Sequence, residues 1–154
     1  MLFTAALEFR TALPQHFRLL GLDVGEKTIG LALSDVLRSI ATPFETIERG
    51  KFTKDVEKLK QIIQKQNVGG LIIGYPVNMD GSHGPRTQST RTFVSNLEKL
   101  IDLPMMMWDE RMSTMAANRV MLEADLSRDR RAQLVDKLAA SYMLQGFLDY
   151  MVRV

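Results

Sequence analysis

The sequence predicts an α/β fold: one mixed β-sheet that opens with an antiparallel hairpin and carries helices on both faces. Three observations predict it. Two apolar runs, Leu19–Val24 and Thr28–Ser34, flank Gly25-Glu26-Lys27, a turn signal between two strands. Beyond residue 50 the chain alternates between stretches of helical period and short continuous apolar runs, the order that builds parallel βα units with right-handed crossovers. With 154 residues, 45% of them hydrophobic and 25% charged, the chain has the composition of one ordinary globular domain.

Residues 1–18 show no clear period and contain Pro14, so they read as a loosely attached extension, and the domain is expected to span 19–154. The hairpin strands follow. A third extended segment, around Ile40 to Ile47, is interrupted by Pro43, which suits an edge strand. Val56, Leu59, Ile62 and Ile63 then lie on one face of a helix from about Thr53 to Gln66. Gly70-Leu71-Ile72-Ile73-Gly74 is a strand of the type buried on both faces. A polar loop, Tyr75 to Arg86, leads to a helix marked by Phe93, Val94, Leu97, Leu100 and Ile101. Pro104 to Trp108 is the last strand, its methionines serving as strand core. Ser113 is placed to cap a helix reaching about Ala124, and Ser127 to cap a final helix that turns Leu134, Val135, Leu138, Ala139, Tyr142 and Met143 inward.

Several function classes are excluded. Without cysteine there is no disulfide framework, zinc ribbon or thiol catalysis. The N-terminus lacks the pattern of a signal peptide, and no run approaches the ~20 apolar residues of a membrane span, so a cytoplasmic protein without membrane contact is expected. Gly21 to Thr28 is not a Walker A loop, because the spacing is wrong and a strand follows where a helix must start. The dinucleotide fingerprint is absent, and His16 and His83 have no metal-site spacing. Charge is nearly balanced, 20 Lys+Arg against 18 Asp+Glu, but six basic and two acidic residues lie between Arg49 and Lys65. Arg128, Arg130 and Arg131 form a second group. Such runs are commonly solvated helix faces.

Functional groups of such sheets collect outside the carboxyl ends of the parallel strands. Asp23 ends the first long strand, Asp109-Glu110 ends the last, and Asp80 lies in the loop after the buried strand. Alternation along a strand puts Asp109 and Glu110 on opposite faces. Asp136 lies beside the apolar stripe of the last helix, where an unpaired carboxylate is costly. It needs a cation, from a surface Arg or Lys or from a metal, and the residues alone leave that choice open. Ala139 and Ala140 allow this helix to approach the sheet closely.

Four stretches carry a resemblance. Gly21 to Asp35 (GLDVGEKTIGLALSD), Gly74 to Gly81 (GYPVNMDG), Trp108 to Thr114 (WDERMST) and Val135 to Ala140 with Leu144-Gln145 are similar, in that order, to the four motifs of the YqgF (RuvX) family, whose fold is RNase H-like. Tyr75 stands where a small apolar residue is commoner. The resemblance covers residues 19–150. It implies a nuclease of small-subunit rRNA maturation, in a family earlier classed with Holliday junction resolvases. It also implies that Asp23, Glu110 and Asp136 are the catalytic and metal-binding acids, holding a two-ion site of Mg²⁺ or Mn²⁺.

That chemistry suits the residue types, since hard carboxylate oxygens are the ligands Mg²⁺ prefers and two such ions serve in-line phosphodiester hydrolysis. Related nucleases generally use four acids. Asp35 is a poor fourth, because the second hairpin strand carries it ~20 Å from Asp23 at ~3.3 Å per residue. Lys27, Thr28, Asn78, Arg86, Arg91 and Arg111 are the expected substrate contacts. With 7% aromatic residues, base stacking is not the expected mode; structured RNA, or a DNA junction, read through its backbone is. The chain is expected to act as a monomer or homodimer. A non-catalytic RNA-binding factor is the alternative from another class. A sugar-kinase or actin-like ATPase shares the opening hairpin but needs two such domains.

Overall fold

The computed structural model describes residues 1–75, 83–109 and 128–154, with side chains from residue 137 onward in the last helix. The elements are β1 (Leu2–Phe3), α1 (Ala6–Ala12), β2 (Arg18–Val24), β3 (Thr28–Ser34), β4 (Ala41–Glu48), α2 (Phe52–Lys65), β5 (Val68–Tyr75), α3 (Pro85–Leu100), β6 (Met105–Asp109) and α4 (Arg128–Val152). The helix expected between Ser113 and Ala124 and the cap at Ser127 lie outside the described residues.

The described strands form one sheet in the order β1-β6-β5-β2-β3-β4. β2 and β3 pair antiparallel, with Asp23 opposite Gly30, as the hairpin signal requires. β5 joins β2 in parallel, and β6 joins β5 in parallel. β4 closes the edge beside β3, and its register shifts near Pro43, which has no N–H to give the ladder. The fold is thus the predicted α/β class. Among the described helices, none is long and apolar enough to cross a membrane.

The core has two halves. Beneath α2 and α3, Leu22, Leu31, Val56, Leu59, Leu71, Ile73, Phe93 and Leu97 pack together. On the opposite face, Ala139, Ala140, Met143, Leu144, Phe147 and Leu148 of α4 cover Leu19, Ala32, Ile72, Met106 and Trp108. Of the residues expected to turn inward on α4, Ala139 and Met143 are buried and Tyr142 packs half-buried against the same half of the core. Leu138 is half-buried, the side chains of Leu134 and Val135 lie outside the described residues, and burial continues to Met151. Close approach does occur where the alanines suggested it. A Cβ built on Gly21 would stand 3.0 Å from Leu144 Cβ and 3.4 Å from the Ala140 carbonyl oxygen.

The reading of residues 1–18 as a loosely attached extension is corrected. β1 adds to the sheet edge, with Leu2 opposite Met105. Ala6, Phe9 and Leu13 enter the α4-side core, Phe9 fully buried. The Phe9 ring meets Phe3 and Phe147 edge-on at 6.0 and 5.8 Å. Arg10 donates to the Met151 carbonyl at 3.2 Å. A two-residue strand and a seven-residue helix are too short for periodicity to declare them, and both are held by tertiary packing.

Candidate active site

The carboxyl ends of β2, β5 and β6 lie side by side. The register sets Leu22 opposite Ile73, Ile73 opposite Met107, and Tyr75 opposite Asp109. Asp23, the penultimate residue of β2, is therefore near the same edge as Asp109, on a strand that has neighbours on both sides. Its residue is only 3% exposed. Gly21, two residues back, lies under α4, so alternation turns Asp23 toward that face as well. Trp108 packs with Phe147 of α4 at 5.4 Å, so Asp109, the next residue, faces the other way.

The direction of α4 decides what meets Asp23. Gln145 accepts from the Ala41 N–H at 2.8 Å and donates to the Ser39 carbonyl at 3.0 Å, so it marks the opposite end of the sheet. Ala140 lies over Gly21. Followed toward its N-terminus, α4 therefore heads for the edge that holds Asp23, and residue 136 lies on its backbone one turn beyond Ala140. The Asp136 side chain and Glu110 lie outside the described residues. Among the described residues no group of three acids or histidines is placed to hold a metal.

Around Asp23 the turn between β2 and β3 is closed by a 2.8 Å bond from the Gly25 N–H to the Thr28 carbonyl. Lys27 is exposed there and Thr28 half-buried. Arg86, in the first turn of α3, donates to the Val24 carbonyl at 3.4 Å. The Arg91 guanidinium lies 5.4 Å from the Tyr75 ring centre, and the Tyr75 hydroxyl lies 3.2 Å from His83 Nδ1. Asn78 and Arg111 lie outside the described residues, as does Asp80.

Arg49 is the neighbour that reading by residue did not single out. Pairing of Thr28 with Glu48 brings the end of β4 to the hairpin turn, and the Arg49 N–H donates to the Lys27 carbonyl at 2.8 Å. Its guanidinium donates to the Gly25 carbonyl at 2.7 Å and lies 5.4 Å from the Phe93 ring centre. Nothing local in the sequence announces this, because it follows from strand register.

Asp35 belongs to the opposite end. Its carboxylate accepts from the Ser39 and Ile40 N–H groups at 2.7 and 3.0 Å. Burial there pushes its pKa up, but the N–H donors of Ile40 and Ser39 and the charge of Arg18 outweigh it and hold the carboxyl below its ordinary value.

The sequence profile of the family described as "RuvX: Holliday junction resolvase" matches residues 17–150. The chain belongs to the RuvX family. It is 60% identical over 145 residues to a protein of Paramagnetospirillum magneticum named "Putative pre-16S rRNA nuclease", with 94% of each chain covered. A protein of the same name from Ruegeria sp. is 56% identical over 151 residues, covering 98% of this chain and 96% of its own. That length takes in nearly all of the first 18 residues, in keeping with their place in the core. Among solved structures, T. thermophilus RuvC in complex with a Holliday junction substrate superposes with a TM-score of 0.56 at 12% identity, covering 89% of this chain and 97% of its own. The yeast mitochondrial Holliday junction resolvase Ydc2 does so with 0.54 at 9% identity, covering 94% and 83%. At such identities the likeness concerns the fold, and it places this RuvX chain among RNase H-like folds.

Proposed function

We propose that this RuvX chain is a metal-dependent nuclease that hydrolyses phosphodiester bonds of structured RNA, at an end of the 16S rRNA precursor, with Asp23, Glu110 and Asp136 as its acidic centre. The observation that carries the reading is Asp23: a nearly inaccessible carboxylate at the carboxyl edge of an interior strand, facing the helix whose backbone leads to Asp136. The names of the close relatives support the substrate.

A carboxylate held in that setting fits a hard cation. Three acids sharing one site repel one another unless a cation joins them, and oxygen donors are what Mg²⁺ and Mn²⁺ take. Asp23, Glu110 and Asp136 are the residues that would hold such ions. When bound, the metal supplies Lewis-acid stabilisation of the charge that develops on the phosphate. The protein's part is orientation. Asp23 is fixed by a strand paired on both sides, so its oxygens need little reorganisation. Lys27, Arg86 and Arg91 stand around the same edge and neutralise backbone phosphates, with Thr28, Asn78 and Arg111 as further contacts. The setting is the cytoplasm, and one chain suffices for trimming an RNA end, whereas symmetric cutting of a junction requires a homodimer.

The test is a cleavage assay in Mg²⁺ or Mn²⁺ with wild type and Asp23→Asn. It uses a structured rRNA precursor, single-stranded RNA and a four-way DNA junction. Cleavage of the precursor by wild type alone supports the proposal. Symmetric cutting of the junction alone replaces it with a resolvase. Binding of RNA with no cutting of any substrate replaces it with a non-catalytic RNA-binding factor.

A further inference from the structure

We propose that the cleft between the β2–β3 turn and the first turn of α3 is a phosphate subsite, where Arg49 and Arg86 together bind one backbone phosphate beside the bond to be cut. The identity of the ligand rests on the nuclease reading; the subsite itself, and Arg49 in particular, lies outside the acidic centre.

The cleft has a volume of about 330 Å³, and its lining includes Val24, Gly25, Glu26, Arg49, Arg86 and Ser89. That is the small end of the ~300–1,000 Å³ range of ligand sites, room for one group and not for a stack of bases. The two guanidiniums are anchored on consecutive carbonyls, Arg86 on Val24 and Arg49 on Gly25. Both carbonyls follow Asp23 directly, within ~7 Å of extended chain at ~3.3 Å per residue.

Each guanidinium has five N–H donors. One contact to a neutral carbonyl leaves donors for a ligand and leaves the charge uncompensated. Among the described residues, neither Arg49 nor Arg86 makes an ion pair with a carboxylate. The Arg49 guanidinium lies over the Phe93 ring, a cation–π contact that restrains it before any ligand arrives. Asp55 adds to this, since both of its carboxylate oxygens accept from the Gly50 N–H, at 3.3 and 3.2 Å, and so fix the residue next to Arg49. The start of α3 carries no acidic residue in its first turn and no side-chain cap, so its dipole adds to the field of the two arginines. Two guanidiniums lining one small cleft, each with N–H donors to spare, suit a tetrahedral oxyanion, and on a nucleic acid that group is the backbone phosphate.

The experiment measures binding of the full chain to a fluorescent RNA hairpin from 50 to 200 mM KCl, in an Asp23→Asn background so that cleavage plays no part. Arg49→Gln and Arg86→Gln are each expected to raise Kd about ten-fold and to lower the slope of log K against log salt by about one phosphate, ~0.7–0.9. Because they share one phosphate, the double variant should lose no more slope than either single one. Arg49→Lys, which keeps the charge, should keep the slope, and Glu26→Gln should tighten binding. Lys65→Gln, at the far end of α2, is the control, and thermal melting confirms that each variant is folded. Slopes equal to that of the control overturn the subsite, and so do additive losses, which mean two separate phosphates. The slope is read without cleavage, so a wild type that binds but does not cut overturns the nuclease reading while the subsite is still decided by Arg49 and Arg86.

Discussion

At the scale of single residues, the proposed chemistry turns on one carboxylate that is almost out of reach of water. Asp23 is 3% exposed, on a strand with partners on both sides, a setting in which an ionised group needs a cation at hand. Asp23→Asn keeps the shape and removes the charge. It should lower single-turnover cleavage of the RNA precursor by at least ~10²-fold, ~2.7 kcal/mol of transition-state stabilisation. Its melting temperature should stay level, since the side chain keeps its shape. A fall of several degrees instead would assign Asp23 to stability. Asp23 was legible from its place at the end of an apolar run. Arg49 was not, because its position beside the same turn depends on which residues of β3 and β4 pair.

At the scale of elements, two contacts govern how the strands and helices meet. Gly21 is the seat of α4: a Cβ there would stand 3.0 Å from Leu144 Cβ, and the nearby Ala140 carbonyl, being backbone, has little room to yield. Gly21→Ala should cost ~1–3 kcal/mol by overpacking. By tilting α4 it should reduce cleavage more than RNA binding, which a denaturant titration alongside kinetics will separate. The β3–β4 turn depends on Asp35 and the N–H groups of Ser39 and Ile40. Its carboxyl is held below the ordinary value, so the folded state binds its proton more weakly than the unfolded chain does. The stabilisation is therefore whole above the unfolded value of ~4 and is lost as pH falls through the lower folded value. Asp35→Asn should flatten the acid limb of stability against pH over that window, with no change in the neutral slope. An unchanged acid limb would assign the pH dependence to other carboxylates.

For the whole molecule, the N-terminal segment is the test of how far the domain extends. Phe9 is fully buried between Phe3 and Phe147, and Ala6 and Leu13 flank it in the same half of the core. Phe9→Ala should cost ~3–5 kcal/mol. At ~2–4 °C per kcal/mol for a chain of this size, the melting temperature should fall by ~6–20 °C. Removal of residues 1–13 should do at least as much, because it also strips the edge pairing of β1 with β6. A truncated chain that melts like the full one would return the segment to the status of an appendage.

The sequence by itself determined the hairpin, the edge strand at Pro43, the buried parallel strand and the helices behind it, because each announces itself through periodicity or turn residues within a short window. It also determined the family, because four motifs in fixed order are a property of the chain and not of its shape. The tertiary structure alone decided that residues 2–13 belong to the core: their contacts are with Met105, Phe147 and Met151, about a hundred or more residues away, and no local pattern encodes them. It likewise decided that α4 runs toward Asp23 and that Arg49 and Arg86 line one cleft beside the same turn. Register and helix direction are set by which side chains fit together in the packed sheet, and that is a property of pairs of elements brought together by folding.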